Sequence, residues 1–313
     1  MSIGTNIKKR RYELKMSQQE LAEALGYSSK STIAKIESGE NGVSTKKLSK
    51  FAKVLNTTVE ALVSGAAVAN VQTTAHVQVS GHKNIAVILS GGKSTRNLQN
   101  IPNQFITVYG KPVIIYSMEA YQMHPEISEI YVVCIKGWED IVVSYAQQFG
   151  ITKLTKVLPA GETGILSVKS AVDYLEGKCD KSDTVIFQES TRPLVTVENI
   201  SRLLLESREK GSAVTCGYMS EHLQFFINGD SIKYIDRNRL IEAQSPEAYE
   251  YGELAELFNK AVARHHKFSE SCCSMLMYKL GMTPNFFEGN LSNVKIIRSE
   301  DVALFSAYVK QNL

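Results

Sequence analysis

The chain has 313 residues, enough for about two domains of ordinary size. Hydrophobic content of 43% and charged content of 21% match ordinary globular proteins and exclude wholesale disorder. Residues 1–64 carry 11 Lys+Arg against 6 Glu and no Asp, a net +5, while the remainder carries −2. A basic head on a slightly acidic body implies that one module meets a polyanion and the other does not. No apolar run is long enough for a membrane-spanning helix, and Met1 to Lys15 lacks an apolar signal core. Five scattered cysteines without metal-ligand spacing complete the expectation of a cytoplasmic protein with reduced thiols.

The head reads as short helices. Ser17-Gln18-Gln19-Glu20 is a capping box, in which the Ser17 hydroxyl accepts from the Glu20 amide and the carboxylate reaches back. Leu21, Ala22 and Leu25 then form a buried face, and Gly26 ends the helix. A second helix is predicted over 30–37, with Ile33 and Ile36 inward and Gly39 as its stop. Thr57-Thr58-Val59-Glu60 is another capping box, ahead of Leu62. Two short helices joined by a tight turn, among four or five in all, describe an all-α helix-turn-helix domain. Met16 to Ala22, Leu25-Gly26-Tyr27 and Ile33 to Gly39 together resemble the phage-repressor helix-turn-helix family, of the Cro and XRE type. The resemblance implies duplex DNA as partner, Gln18 on phosphate, and Ser29, Lys30, Ser31, Thr32 and Lys35 facing bases. Lys46, Lys47, Lys50 and Lys53 lie on a helix face that either touches phosphate or is simply solvated.

The domains are therefore expected at 1–64 and 84–313, with a linker over 65–83. That linker is Ala/Val/Thr-rich, and its first charged residue is Lys83. Val77 and Val79 alternate with polar neighbours in the manner of a short strand, and His76 and His82 read as surface histidines.

From residue 84 onward, strand and helix patterns alternate. Continuous apolar runs at 85–89, 130–135, 184–187 and 213–216 are of the kind buried on both faces of a sheet. Helical patterns lie between or after them at 113–123, 138–149, 165–175 and 197–210. This predicts a doubly wound, Rossmann-like α/β domain. Phe225-Phe226-Ile227 and Ser231 to Ile235 add a β-hairpin excursion, with Asn228-Gly229 as a type I′ turn. Trp138 and the Cys272-Cys273 pair read as packing residues, and His265-His266 as a solvated pair.

Function in such a sheet belongs at the carboxyl ends of strands. Directly after the first strand comes Ser90-Gly91-Gly92-Lys93-Ser94-Thr95-Arg96, where glycines let amides approach phosphate and two cations supply charge. The spacing fits neither a Walker loop nor G-x-G-x-x-G. With Ile101-Pro102-Asn103-Gln104-Phe105 and Gly110-Lys111-Pro112 it resembles the opening of the methylerythritol-phosphate and ribitol-phosphate cytidylyltransferases. Further matches are Gly161 with Ser167-Val168, Arg192-Pro193-Leu194-Val195, Asp236-Arg237, Ala243-Gln244-Ser245-Pro246 and Asn293-Val294-Lys295.

The resemblance implies that CTP and an alditol or sugar phosphate combine with release of pyrophosphate, in a family that is typically dimeric. It implies Arg96 and Lys295 as catalytic cations around the transferring phosphorus, and Mg²⁺ on Glu189. Leu89, Ser90, Gly91, Gly92, Lys93, Gly161 and Ser167 would hold the nucleotide, and Arg192, Glu221 and His222 the acceptor. Several family positions differ here. Asn103 replaces a lysine, Glu189 an aspartate and Gly164 an arginine, while the polar tract is Glu221 to Gln224 and Ser271-Cys272 replaces Thr-Asp. Asn103→Lys is then expected to restore a charge, unless Lys93 or Lys111 already supplies it. The reading is a CTP-dependent cytidylyltransferase with a DNA-binding head. Its alternative is a transcription regulator whose degenerate transferase domain senses a nucleotide or sugar phosphate.

Overall fold

The computed structural model describes residues 3–14, 16–27, 29–39, 41, 43, 45–55, 57, 59, 62, 82–94, 101–218, 223–290 and 292–312. The chain divides into two compact units, Met1–Val79 and Ser80–Leu313. None of the described helices is long and apolar enough to cross a membrane.

In the first unit four helices are described, α1 (Ile3–Glu13), α2 (Gln18–Ala24), α3 (Lys30–Ser38) and α4 (Thr45–Val54). The Ser17–Glu20 capping box forms as its spacing requires, and Ser29 caps α3 by accepting from the Ser31 amide. Ile7, Leu21, Ile33, Phe51, Leu55 and Leu62 fill the core. Beside it Arg11 makes a bidentate pair with Glu37, at 2.6 and 2.9 Å, and both side chains are buried. The 57–60 capping box falls partly on residues outside those described.

The second unit is a seven-stranded sheet in the order β11-β7-β10-β6-β1-β4-β5. Its strands are β1 (Asn84–Ser90), β4 (Glu129–Cys134), β5 (Leu154–Pro159), β6 (Thr184–Glu189), β7 (Ser212–Tyr218), β10 (Ile241–Glu250) and β11 (Phe286–Glu288). β1 pairs in parallel with β4 and β6, whereas β10 runs antiparallel between β6 and β7. Alternate residues of β1 enter two cores. Ile85 and Val87 pack with Val168, Leu254 and Leu257, and Ala86 and Ile88 with Ile114, Met118 and Leu203. The covering helices are α5 (Val113–Met123), α6 (Glu139–Gln148), α7 (Gly164–Leu175), α8 (Val197–Lys210), α9 (Tyr251–Ala263) and α10 (Cys273–Lys279). The C-terminal helix α11 (Ser299–Asn312) buries Phe305 and Val309 against Ile106, Val113 and Ile296.

Two short strands, β2 (Thr107–Val108) and β3 (Lys111–Pro112), precede α5, and the hairpin is β8 (Gln224–Asn228) with β9 (Ser231–Ile235). The hairpin turn corrects the sequence reading. Asn228 pairs with Ser231, so the two central residues are Gly229-Asp230, and only Gly229 has positive φ, 57°. That is the pattern of a type II′ turn, with glycine at the first central position, and Asn228 belongs to the strand. Trp138 stacks on Phe105 at 4.2 Å, a packing role.

Candidate active site

The parallel strands β1 and β6 end on one cleft of about 720 Å³. Its floor is the loop after β1. Gly91 passes so close to the 160–161 turn that a Cβ there would stand 2.7 Å from the Ala160 Cβ. Ser167 locks that turn, accepting from the Gly161 amide at 3.1 Å and donating to the Thr163 carbonyl at 3.0 Å. Leu89, Gly91, Gly92, Lys93, Gly161 and Ser167 all line the cleft. Ser90 sits beneath it instead. Its carbonyl is taken by the Gln104 amide and the Ile135 N–H, and its buried hydroxyl has no hydrogen-bond partner among the described residues.

Three charged residues lining the same cleft meet, Glu189 and Arg192 from the end of β6 and Lys295 from a segment about a hundred residues later. Glu189 ends β6, where its Oε2 accepts from Arg192 Nε at 2.9 Å and its Oε1 pairs with Lys295 Nζ. Burial pushes the Glu189 carboxyl up, but Lys295 and Arg192 more than offset this and hold it below the ordinary carboxylate range. Arg192 is itself tied to the Asn293 carbonyl at 2.9 Å. Buried Gln188 braces this corner, accepting from the Tyr121 hydroxyl and donating to the carbonyls of Glu189 and Arg192.

Lys93 is an exposed cation lining the cleft. Lys111 does not line it, because its ammonium is paired with Glu119 at 2.6 Å and lies over the Tyr116 ring. Arg96, Glu221 and His222 lie outside the described residues. His266 is not simply solvated: its Nε2 meets the buried Glu270 carboxylate at 3.0 Å.

Sequence reasoning missed several residues of the wall. Glu247 is a buried acid that lines the cleft, accepting from the Ser274 and Tyr249 hydroxyls at 2.6 and 2.9 Å. Burial pushes its carboxyl up. Its only signal was its place beside Ser245-Pro246. Cys272 and Cys273 also line the cleft as free thiols, and burial raises both. Among the described residues no group of three His, Cys, Asp or Glu side chains is placed to hold a metal. A magnesium ion that keeps its waters and takes phosphate oxygens needs only one or two carboxylates, a set that Glu189 fits.

A family model described as 2-C-methyl-D-erythritol 4-phosphate cytidylyltransferase matches residues 84–311. The chain belongs to that family. A helix-turn-helix model matches residues 7–62. A ribitol-5-phosphate cytidylyltransferase of Lacticaseibacillus paracasei is 36% identical over 72% of this chain and 97% of its own length. Its counterpart in Vibrio parahaemolyticus is 31% identical over 72% of this chain and 95% of its own. A 2-C-methyl-D-erythritol 4-phosphate cytidylyltransferase of Clostridium botulinum is 25% identical over 71% and 95%. Among solved structures, 4-diphosphocytidyl-2C-methyl-D-erythritol synthase of Anaerococcus prevotii superposes with TM-score 0.63 at 21% identity. It covers 74% of this chain and is itself matched in full, a likeness of fold.

At Gly164, where the family resemblance implies an arginine, the packing against the 270–272 strap leaves no room for a side chain. A Cβ at 164 would stand 2.2 Å from the Ser271 carbonyl oxygen, because the first turn of α7 packs on that strap. The strap is pinned by the Ile165 N–H on the Glu270 carbonyl at 2.9 Å and by Glu270 on Lys279 at 2.8 Å. Burial would raise the Glu270 carboxyl, but Lys279 and His266 hold it down at about 2, against an ordinary 4.5. A depressed carboxyl contributes stability that is full above about pH 4.5 and is lost as pH falls towards 2. Glu270→Gln should therefore lower the thermal midpoint near neutrality, and the gap to wild type should close across that acid window. A gap of constant size would show that the pair does not hold the strap.

Proposed function

We propose that the second unit transfers the cytidylyl group of CTP to an alditol phosphate, with ribitol 5-phosphate the first acceptor to test. The meeting of Lys295, Glu189 and Arg192 in the cleft that the Gly91-Gly92-Lys93 loop also lines carries this reading. The greater identity to ribitol-5-phosphate cytidylyltransferases, 29–36% against 25%, favours ribitol 5-phosphate over the branched tetritol phosphate. An acceptor phosphate oxygen attacks the α-phosphorus, the bond to the bridging oxygen breaks, and pyrophosphate leaves with that electron pair. The phosphorane carries extra negative charge, so cations positioned in advance do most of the catalysis. Lys295 and Lys93, which line the cleft, are the cations proposed to meet it, and the family resemblance adds Arg96. The loop amides hold the β- and γ-phosphates, and Gly161 and Ser167 the base. The family resemblance gives the acceptor phosphate to Arg192, Glu221 and His222. Mg²⁺ bound through Glu189 would neutralise triphosphate charge.

Calorimetric titration of the full chain with CTP, ATP and GTP in magnesium buffer tests the nucleotide half of the reading. CTP is expected to bind most tightly. Equal binding of all three, or none, would remove it.

The head is proposed to bind duplex DNA. Lys30, Ser31 and Lys35 are exposed along α3, while Ser29 caps the helix and Thr32 is half-buried. Gln18 donates to Glu37 at 2.8 Å, which orients its amide. Affinity of the full chain for duplex DNA is expected to fall by roughly 10³-fold between about 50 and 200 mM salt, as phosphate contacts release counterions. Salt-independent or absent binding would sink this reading. A homodimer fits the hairpin, where Phe225, Phe226, Ile227, Ile232 and Tyr234 are all exposed. Such an apolar ribbon is marginal alone and is stabilised by a covering surface.

A further inference from the structure

The short turn at 103–105 carries two buried amide side chains in succession, and they hold two different segments that line the cleft. Gln104 Nε2 donates to the carbonyls of Ser90 at 3.0 Å and Gly92 at 2.9 Å, which fixes the loop. Asn103 Nδ2 donates to the carbonyls of Ile297 at 2.9 Å and Ile296 at 3.3 Å, and its backbone N–H donates to Ser94 at 3.1 Å. Ile296 is buried with Phe305 and gives its own N–H to the Thr191 carbonyl at 2.8 Å. Lys295, one residue earlier, reaches Glu189 from this segment. Asn103, 3% exposed, thus ties the Lys295 segment to the Ser94 end of the phosphate loop, beside the bonds from Ile296 to Thr191 and from Arg192 to Asn293.

We infer that Asn103 is a positioning residue of the transfer site, a neutral clamp that seats the Lys295 segment against the glycine loop. The inference rests on the cytidylyl-transfer reading and reverses the expectation that a lysine at 103 would improve the site. One carboxamide NH₂ has two hydrogens for two carbonyls. A carboxylate of the same shape has none and sets its lone pairs against both. An ammonium on a four-carbon stem overruns the space between them.

The test uses the full chain as wild type, Asn103→Asp, Asn103→Ala and Asn103→Lys. Steady-state turnover with CTP and ribitol 5-phosphate is measured beside amide hydrogen exchange of the segment 293–298. Each variant is expected to lose about 10²-fold in kcat, the scale for displacing a catalytic group by about 1 Å. KM for CTP should stay within about threefold, since the loss falls on the transition state. Exchange should rise in 293–298 and stay unchanged in 84–90. Asn103→Ala removes the clamp without placing a charge, so it decides the matter if Asn103→Asp fails to fold. A rise in kcat for Asn103→Lys, or wild-type kcat for Asn103→Ala, would overturn the inference. If wild type makes no product from any acceptor, the transfer reading itself has failed. The clamp is then judged by exchange alone: a rise confined to 293–298 supports it, and no change overturns it.

Discussion

Lys295→Ala is expected to lower kcat by about 10²–10³-fold, the cost of removing one positioned charge from a transition state. The ammonium sits in the cleft because Ile296 beside it is anchored in the core, while Asn103 holds the carbonyls of Ile296 and Ile297. It pairs with Glu189, and a bound triphosphate would compete with that carboxylate for it. The folded state should lose little, within about 1 kcal/mol, because the Lys295 side chain is 39% exposed and such pairs are screened by water. Glu189 would keep Arg192 but lose its larger counter-charge, so its carboxyl should rise towards the ordinary range. Lys295→Arg should recover only part of the rate, since a planar fork does not replace a compact ammonium. Single-turnover pyrophosphate release and thermal unfolding, run on the same variants, separate the two effects. A variant that lost stability but kept its rate would make Lys295 part of the scaffold.

The second large effect is expected at Gly164. Restoring the arginine implied by the family resemblance should abolish activity rather than improve it. Any Cβ at 164 overlaps the Ser271 carbonyl oxygen at 2.2 Å, and both atoms belong to backbone-anchored segments. Gly164→Ala isolates the steric part. In an unobstructed helix that change stabilises by roughly 0.5–1 kcal/mol. Here it should destabilise by about 1–3 kcal/mol, as overpacking does, by pushing the 270–272 strap off α7. Thermal unfolding of the full chain reads the sign. A stabilised Gly164→Ala variant would mean that the strap moves freely and that the close approach does not explain the lost arginine.

The sheet was legible where burial is two-sided. Ile85 to Leu89 and Thr184 to Phe187 are strands packed between two helical layers, so they read as unbroken apolar runs. β10 was not legible, because its first half is exposed and polar and its buried half carries Glu247. Capping chemistry is local, over three residues, which is why the Ser17 box could be read directly. The hairpin turn misled because Asn-Gly carries a strong local preference, whereas the pairing of Asn228 with Ser231 moved the turn one residue on. In the site, Glu189 and Lys295 stand 106 positions apart, and only family resemblance joined them beforehand. The work of Asn103 depends on carbonyls 193 and 194 positions away, and no spacing rule reaches that far. Its change from lysine looked like a lost charge; the geometry makes it a gained clamp.

The most direct test is acceptor-dependent pyrophosphate release by the wild-type chain, supplied with CTP, magnesium and either ribitol 5-phosphate or 2-C-methyl-D-erythritol 4-phosphate. Release is expected in equal amount to a cytidine diphosphate ester, faster with ribitol 5-phosphate, and abolished when the acceptor is omitted. Tight CTP binding with no pyrophosphate from either acceptor would contradict the transfer reading and leave a nucleotide-sensing regulator in its place.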